Sequence, residues 1–293
     1  MTLILACLTP THVYQVSDRR LTALSGASAG APMDDERNKA VLFEGNIAFG
    51  YTGLADLPGD RTDVWLAKTL GSGPTDDLSV VLERVRTSAT VVFRSLTLPR
   101  PARRHAFAGV GWTKRHGLNE LLPTTILIEN ALDSNSDFEV SARDDFRTRI
   151  QQYAAFKRGF AVHSVGARVN PGQRNAILRA VGSLVKRNRS PLALLQTLSY
   201  AVRWMATFDS TIGSSLMGLC IPRAAVARSI AAGEIVILSG APMIDVPTFL
   251  YLGANQNRME SYGPTTVAGG WVSSGWTVVR SKGPGPSVHE KDI

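Results

Sequence analysis

Two short apolar stretches separated by turn residues open the chain. Leu3 to Leu8 is continuously apolar, Pro10 and Thr11 make a turn, and Val13 to Val16 runs back, which predicts a β-hairpin. The numbers of facing residues in an antiparallel pair sum to a constant. A turn centred near Pro10 makes that sum about 20 and sets Thr2 near Asp18. A second hairpin is predicted from Ala40 to Phe43, a turn at Glu44-Gly45-Asn46, and Ile47 to Tyr51. Its sum of about 92 sets Lys39 near Gly53. All four residues then sit at open hairpin ends, and they form one cluster if the hairpins lie side by side in one sheet. Leu21 to Arg37, rich in Ser, Ala, Gly and Asp, predicts a loop beside it.

Further on the period alternates between strand and helix. Asp60 to Leu70 predicts a helix that Gly71 to Pro74 breaks. Thr75 then suits an N-cap, with Asp76 and Asp77 at the positive end of the helix dipole. Leu78, Val81, Leu82, Val85, Ala89, Val92, Phe93 and Leu96 fall on one face of that helix. Core strands are expected at His105 to Trp112 and Thr124 to Ile128. Asp133 to Asp137 reads as a turn, and Phe138 to Phe160 as a strand mixed with a helix around Phe146 to Phe156. Asn170 and Pro171 open a helix to about Arg187, and Ser190 caps the next, with Pro191 at its first position. Leu216 to Ile221 is a strand and Arg223 to Ala232 a helix. Two more strands follow before Tyr251, and residues 281–293 have the composition of a disordered tail.

Composition narrows the function classes. With 293 residues, 44% hydrophobic and 19% charged, the chain matches an ordinary globular protein with a sizeable core. The net charge of +8 is scattered, with no basic run interleaved with aromatics, so no nucleic-acid partner is expected. Cys7 and Cys220 lie in apolar runs and read as buried free thiols of a reducing compartment. No basic n-region precedes the first apolar run, and no stretch has the length of a membrane helix. A cytoplasmic protein without a membrane partner is the expectation. The five histidines show no zinc-ligand spacing, no glycine-rich nucleotide loop occurs, and no cofactor is expected. His163 reads as a satisfied core or turn histidine. Gly26-Ala27-Ser28-Ala29-Gly30 matches a serine-elbow pattern, but Pro32, Asp34 and Asp35 follow where that motif needs a helix.

The cluster at the hairpin ends carries the chemistry. With Met1 removed, Thr2 has a free α-amine, of unperturbed pKa ~8, beside its own hydroxyl. That amine can take the hydroxyl proton, directly or through water, and make a nucleophile without a histidine. A nearby lysine lowers the pKa of both groups, a carboxylate fixes the lysine, and a glycine N–H can approach an oxyanion closely. Thr2, Asp18-Arg19-Arg20, Lys39 and Gly53-Leu54-Ala55-Asp56 resemble the opening of a proteasome β-type subunit, an N-terminal-nucleophile (Ntn) hydrolase. The resemblance covers roughly residues 2–222, is specific in the first 56, and has a longer loop from Leu21 to Asn38 than the family usually carries.

The resemblance implies an α+β fold, a four-layer αββα sandwich of antiparallel sheets, over residues 1–222. Residues 223–280 would be an extension packed on the same domain. It also implies Thr2 as nucleophile, Asp18 and Lys39 as its partners and Gly53 as oxyanion donor. In the family a G-S-G-like turn brings a serine close to the nucleophile; here His163-Ser164-Val165-Gly166 makes Ser164 the candidate. An aspartate near the end of a later helix matches Asp209, with Gly213 behind it. Ile212 stands where a serine is usual, and Ser210 is the alternative. The implied activity is cleavage of a peptide or other amide through an acyl-enzyme, in copies that assemble into a homo-oligomer such as a ring. Trp271 and Trp276 are candidate contact residues. The alternatives are a non-catalytic structural subunit on the same scaffold and an amidase acting on a small metabolite.

Overall fold

In the computed structural model the described residues are 2–22, 31–34, 37–74, 77–115, 120–131, 142–232, 248–252, 260–262, 264–268, 271–273, 277–279 and 287–288. The fold mixes helices with antiparallel and mixed sheets. Among the described residues up to residue 252, apart from four strands of two or three residues and a short 3-10 helix, the elements are β1 (Leu3–Leu8), β2 (His12–Asp18), β3 (Ala40–Phe43), β4 (Ile47–Thr52), α1 (Thr62–Gly71), α2 (Leu78–Ser95), β5 (Ala106–Lys114), β6 (Leu121–Glu129), β7 (Arg147–Gln152), β8 (Ala161–Gly166), α3 (Pro171–Lys186), α4 (Pro191–Ala206), β9 (Leu216–Pro222), α5 (Arg223–Ala232) and β10 (Thr248–Leu252). Later come β11 (Thr265–Ala268) and β12 (Trp271–Ser273), besides several two- and three-residue strands. A five-stranded sheet has the order β8-β1-β2-β9-β10 and a seven-stranded sheet the order β7-β6-β5-β4-β3-β11-β12. Every pair in them is antiparallel except β11 on β3.

The two opening hairpins therefore do not share a sheet: β1–β2 belongs to the five-stranded one and β3–β4 to the seven-stranded one. Their continuous apolar runs are covered on both faces. Alternate residues divide accordingly. Leu3, Leu5, Cys7, Tyr14 and Val16 cluster with Ile177 and Val181 of α3 and Leu195, Leu198 and Val202 of α4. Val41, Phe43, Phe49, Tyr51 and Phe107 cluster with Leu66 and Leu70 of α1 and Leu82, Val85 and Phe93 of α2. The remaining faces of the two sheets share a third cluster, which includes Leu8, Val13, Met217, Leu42, Ala48 and Trp112.

The register differs slightly from expectation. Leu8 faces Val13 and Ile4 faces Ser17, because the Thr9 N–H and hydroxyl both close on the His12 carbonyl and lengthen the turn. Phe43 faces Ile47 and Ala40 faces Gly50, so the register carries Lys39 toward Tyr51 and leaves Gly53 beyond it. Helix starts follow cap chemistry. Asn170 and Gln173 form a reciprocal capping box, and Ser190 accepts from Ala193 N–H ahead of Pro191. The long helix starts at Leu78, where the Asp77 side chain accepts from Ser79 N–H. Thr75 and Asp76 lie outside the described residues, as do the Asp133 to Asp137 turn and the Ser28 motif. No helix forms around Phe146 to Phe156. Arg147–Gln152 is a mostly exposed edge strand on β6, where one-sided pairing tolerates its polar side chains.

Among the described residues, no helix is long and apolar enough to cross a membrane.

Candidate active site

Thr2, just ahead of β1, is buried and fixed through its backbone. Its carbonyl accepts from the Ala167 N–H at 2.9 Å. Gly166, at φ +99°, comes so close that a Cβ there would stand 1.9 Å from the same oxygen. Only glycine fits that place. Lys39, which opens β3 from the opposite sheet, donates from Nζ to Thr2 Oγ1 at 2.5 Å and also to the Arg20 carbonyl. Asp18 Oδ2 lies 3.6 Å from the lysine, and neither side chain of that pair is more than 1% exposed. The hydroxyl, ammonium and carboxylate expected at the hairpin ends are thus brought together, across two sheets rather than within one.

Asp18 is held on both oxygens. Oδ1 accepts from Leu3 N–H at 2.7 Å, and Oδ2 from Arg20 N–H and Gly213 N–H, each at 3.1 Å. Burial pushes the carboxyl upward, while Lys39 and the three N–H donors act against that rise. With donors on every side, no partner is left that would accept a carboxyl proton, and the group acts as a carboxylate. The Arg20 guanidinium latches the same loop, donating to the Ser210 carbonyl at 2.9 Å and the Ile212 carbonyl at 3.3 Å.

Lys39 is braced from behind. The Asn38 Nδ2 donates to Asp63 Oδ2 at 3.2 Å and to Thr265 Oγ1 at 2.9 Å, and the Thr265 hydroxyl donates to Asp63 Oδ2 at 3.0 Å. The Asn38 Oδ1 accepts from Ala40 N–H, and its carbonyl accepts from the Tyr51 hydroxyl. The residue before the lysine therefore has little freedom.

Gly53 follows β4 at φ +115°, where a Cβ would meet the Arg104 carbonyl at 2.4 Å and His105 Nδ1 at 2.6 Å. The next N–H, that of Leu54, donates to His105 Nδ1 at 3.1 Å. That bond makes His105 a neutral ring with its proton on Nε2. Burial pushes its pKa down to about 3, and the ring lies against Phe93 and Phe107.

Thr2, Lys39, Gly53, His105 and Gly166 line one cavity of about 740 Å³. Asp209 and Ser164 do not line it. The Asp209 carboxylate turns back on Thr211, accepting from its N–H at 2.9 Å and its hydroxyl at 2.6 Å, and Thr211 is the cavity residue of that loop. Ser164 is exposed on β8 opposite Leu5, with Thr2 nearer the strand's other end, at Gly166-Ala167. Ile212 is fully buried in the apolar cluster, and Ser210 is exposed. His163 bonds the Tyr153 hydroxyl at 2.6 Å, outside the cavity.

Sequence reasoning missed Gly166 and Ala167 as the contacts of Thr2, although a glycine ending a strand was the available signal. It also missed His105, whose signal was a histidine opening an apolar strand. Asp63 and Thr265 had none, being remote from Lys39 along the chain.

A buried ammonium on a threonine hydroxyl, backed by a carboxylate and open to a cavity, can stabilise an alkoxide. No family model matches the chain, and none of the curated proteins compared with it matches.

Proposed function

We propose that the chain is a threonine-type Ntn hydrolase of the proteasome β-subunit kind, cleaving peptide or other amide bonds. The contact of Lys39 Nζ with Thr2 Oγ1 at 2.5 Å, inside a cavity that Gly53 also lines, carries this reading. With Met1 removed, the Thr2 α-amine takes the hydroxyl proton while Oγ1 bonds to the substrate carbonyl carbon. The Gly53 N–H receives the oxyanion and Lys39 stabilises the developing charge on Oγ1. The C–N bond then breaks, the α-amine passes the proton to the leaving amine, and an ester on Thr2 remains. Water adds to that ester, giving up a proton to the α-amine, and releases the acid with regeneration of Thr2.

The αββα sandwich belongs to the same proposal. It is supported by three apolar clusters, one shared by the two sheets and one between each sheet and a pair of helices. Assembly of copies around the cavity is part of the reading as well.

Intact mass of the purified protein tests the premise. The mature protein is expected to be lighter than the full sequence by one methionine. Full retention of Met1 in protein that turns over amides would remove the base and overturn the mechanism.

A further inference from the structure

The cavity reaches to both sides of Gly53, and its two arms differ in chemistry. Strand order sets their directions: β3, β4, β5 and β6 lie side by side. Lys39 precedes β3, Gly53 follows β4, His105 precedes β5 and Glu129 ends β6. Thr52 faces Ala106, which faces Glu129, so these ends share one edge of the sheet. On the β3 side of Gly53 the lining carries polar and charged groups, Thr22, Asp34, Arg37 and Asp56, beside Leu21 and Met33, with Arg37 3.9 Å from Asp34 and 3.5 Å from Asp56. On the β5–β6 side it is Leu96, Leu98, Pro101, Ala102 and Ala131.

Glu129 and Arg104 also line that second arm, each with a contact inside the protein, as Arg37 has in the first. Glu129 accepts from Ala131 N–H at 2.9 Å and pairs with Arg149 at 3.3 Å, and Arg104 Nε donates to the Pro101 carbonyl at 3.1 Å. Apolar surface remains, with Leu98 36% exposed beside it. A space of about 740 Å³ is in the range of sites that enclose a whole small ligand, well beyond one carbonyl group.

We propose that the substrate is a bipartite amide, resting on the reading of Thr2 as nucleophile. An apolar group on one side of the scissile carbonyl occupies the Leu96–Ala131 arm. A polar, hydrogen-bonding group on the other side occupies the Arg37 arm. Apolar pockets discriminate at about tenfold or more per methylene, so the apolar arm ranks substrates by chain length.

Four amides of similar size test this: apolar–polar, polar–apolar, apolar–apolar and polar–polar about the carbonyl, with hydrolysis read by mass spectrometry. One of the two mixed amides should exceed both uniform ones by about tenfold or more in kcat/KM. Leu98→Asp and Ala102→Asp should each shrink that ratio. Equal kcat/KM across the four, or a ratio unmoved by both substitutions, would overturn the proposal. Failure of the nucleophile reading looks different: no amide is cleaved, and a small β-lactone without either group leaves Thr2 unmodified. Binding of the same four amides to the unreacted protein, by ligand-observed NMR, then decides the arms alone. A mixed amide binding tightest supports them, and equal binding overturns them.

Discussion

Lys39 is almost fully buried, and its charge falls on Thr2 Oγ1, the Arg20 carbonyl and Asp18. Lys39→Ala should lower amide turnover by on the order of 10²-fold or more with the fold retained, by circular dichroism. Turnover at the wild-type rate would make the lysine structural. Asp18→Asn should lose activity similarly and also stability, because an amide NH2 would face either the Leu3 N–H or both the Arg20 and Gly213 N–H groups that now meet an oxygen. His105 makes a separate, pH-dependent prediction. Its folded pKa of about 3 is below the ordinary histidine value, so below about pH 6.5 the unfolded chain binds a proton that the folded one refuses. Stability from this group is complete above pH 6.5 and falls by about 1.4 kcal/mol per pH unit as pH drops toward 3. Urea unfolding at pH 7.5 and pH 5.0 should show wild type losing about 2 kcal/mol more than His105→Asn. Equal losses would mean that the ring is reached by solvent.

At the scale of elements, the apolar runs and two of the three expected caps were legible in the sequence, Asp77 rather than Thr75 capping the long helix, and the pairing between distant segments was not. Ser190-Pro191 and Asn170-Pro171 start their helices where cap chemistry sets them, because a cap depends on neighbours a few residues away. The four hairpin-end residues were found by spacing. Their division between two sheets was not, because a strand apolar on both faces does not say which sheet it joins. The contribution of β11 was equally hidden: it runs parallel to β3, and Thr265 closes the network behind Lys39. Thr265→Val keeps the shape and removes two hydrogen bonds around buried Asp63. It should cost about 1–3 kcal/mol in urea unfolding and slow amide turnover through the loosened lysine. Unchanged stability would show that Asn38 and Arg61, whose guanidinium donates to Asp63 Oδ2 at 3.0 Å, suffice to satisfy the carboxylate.

Over the whole molecule, two sheets with helix pairs in their apolar clusters leave one edge where Thr2 and Lys39 can meet from opposite sheets. Composition could not reveal that edge, nor that the strand-end Gly166 fits against Thr2 while Ser164 lies opposite Leu5. The proposed assembly of copies predicts an oligomer by light scattering at micromolar concentration. A monomer would count against an enclosed chamber and leave the chemistry untouched. Trp276 lies outside the described residues, and the Trp271 side chain does too. The nucleophile itself has the most direct test. An α,β-epoxyketone reacts with a hydroxyl and an adjacent amine to close a ring, which a serine or cysteine without that amine cannot do. With a panel of such compounds varied in side chain, peptide mapping should place a cyclic adduct on Thr2, and Thr2→Ala should abolish it. Adducts at Ser28 or Cys7 with Thr2 unmodified across the panel would contradict the account.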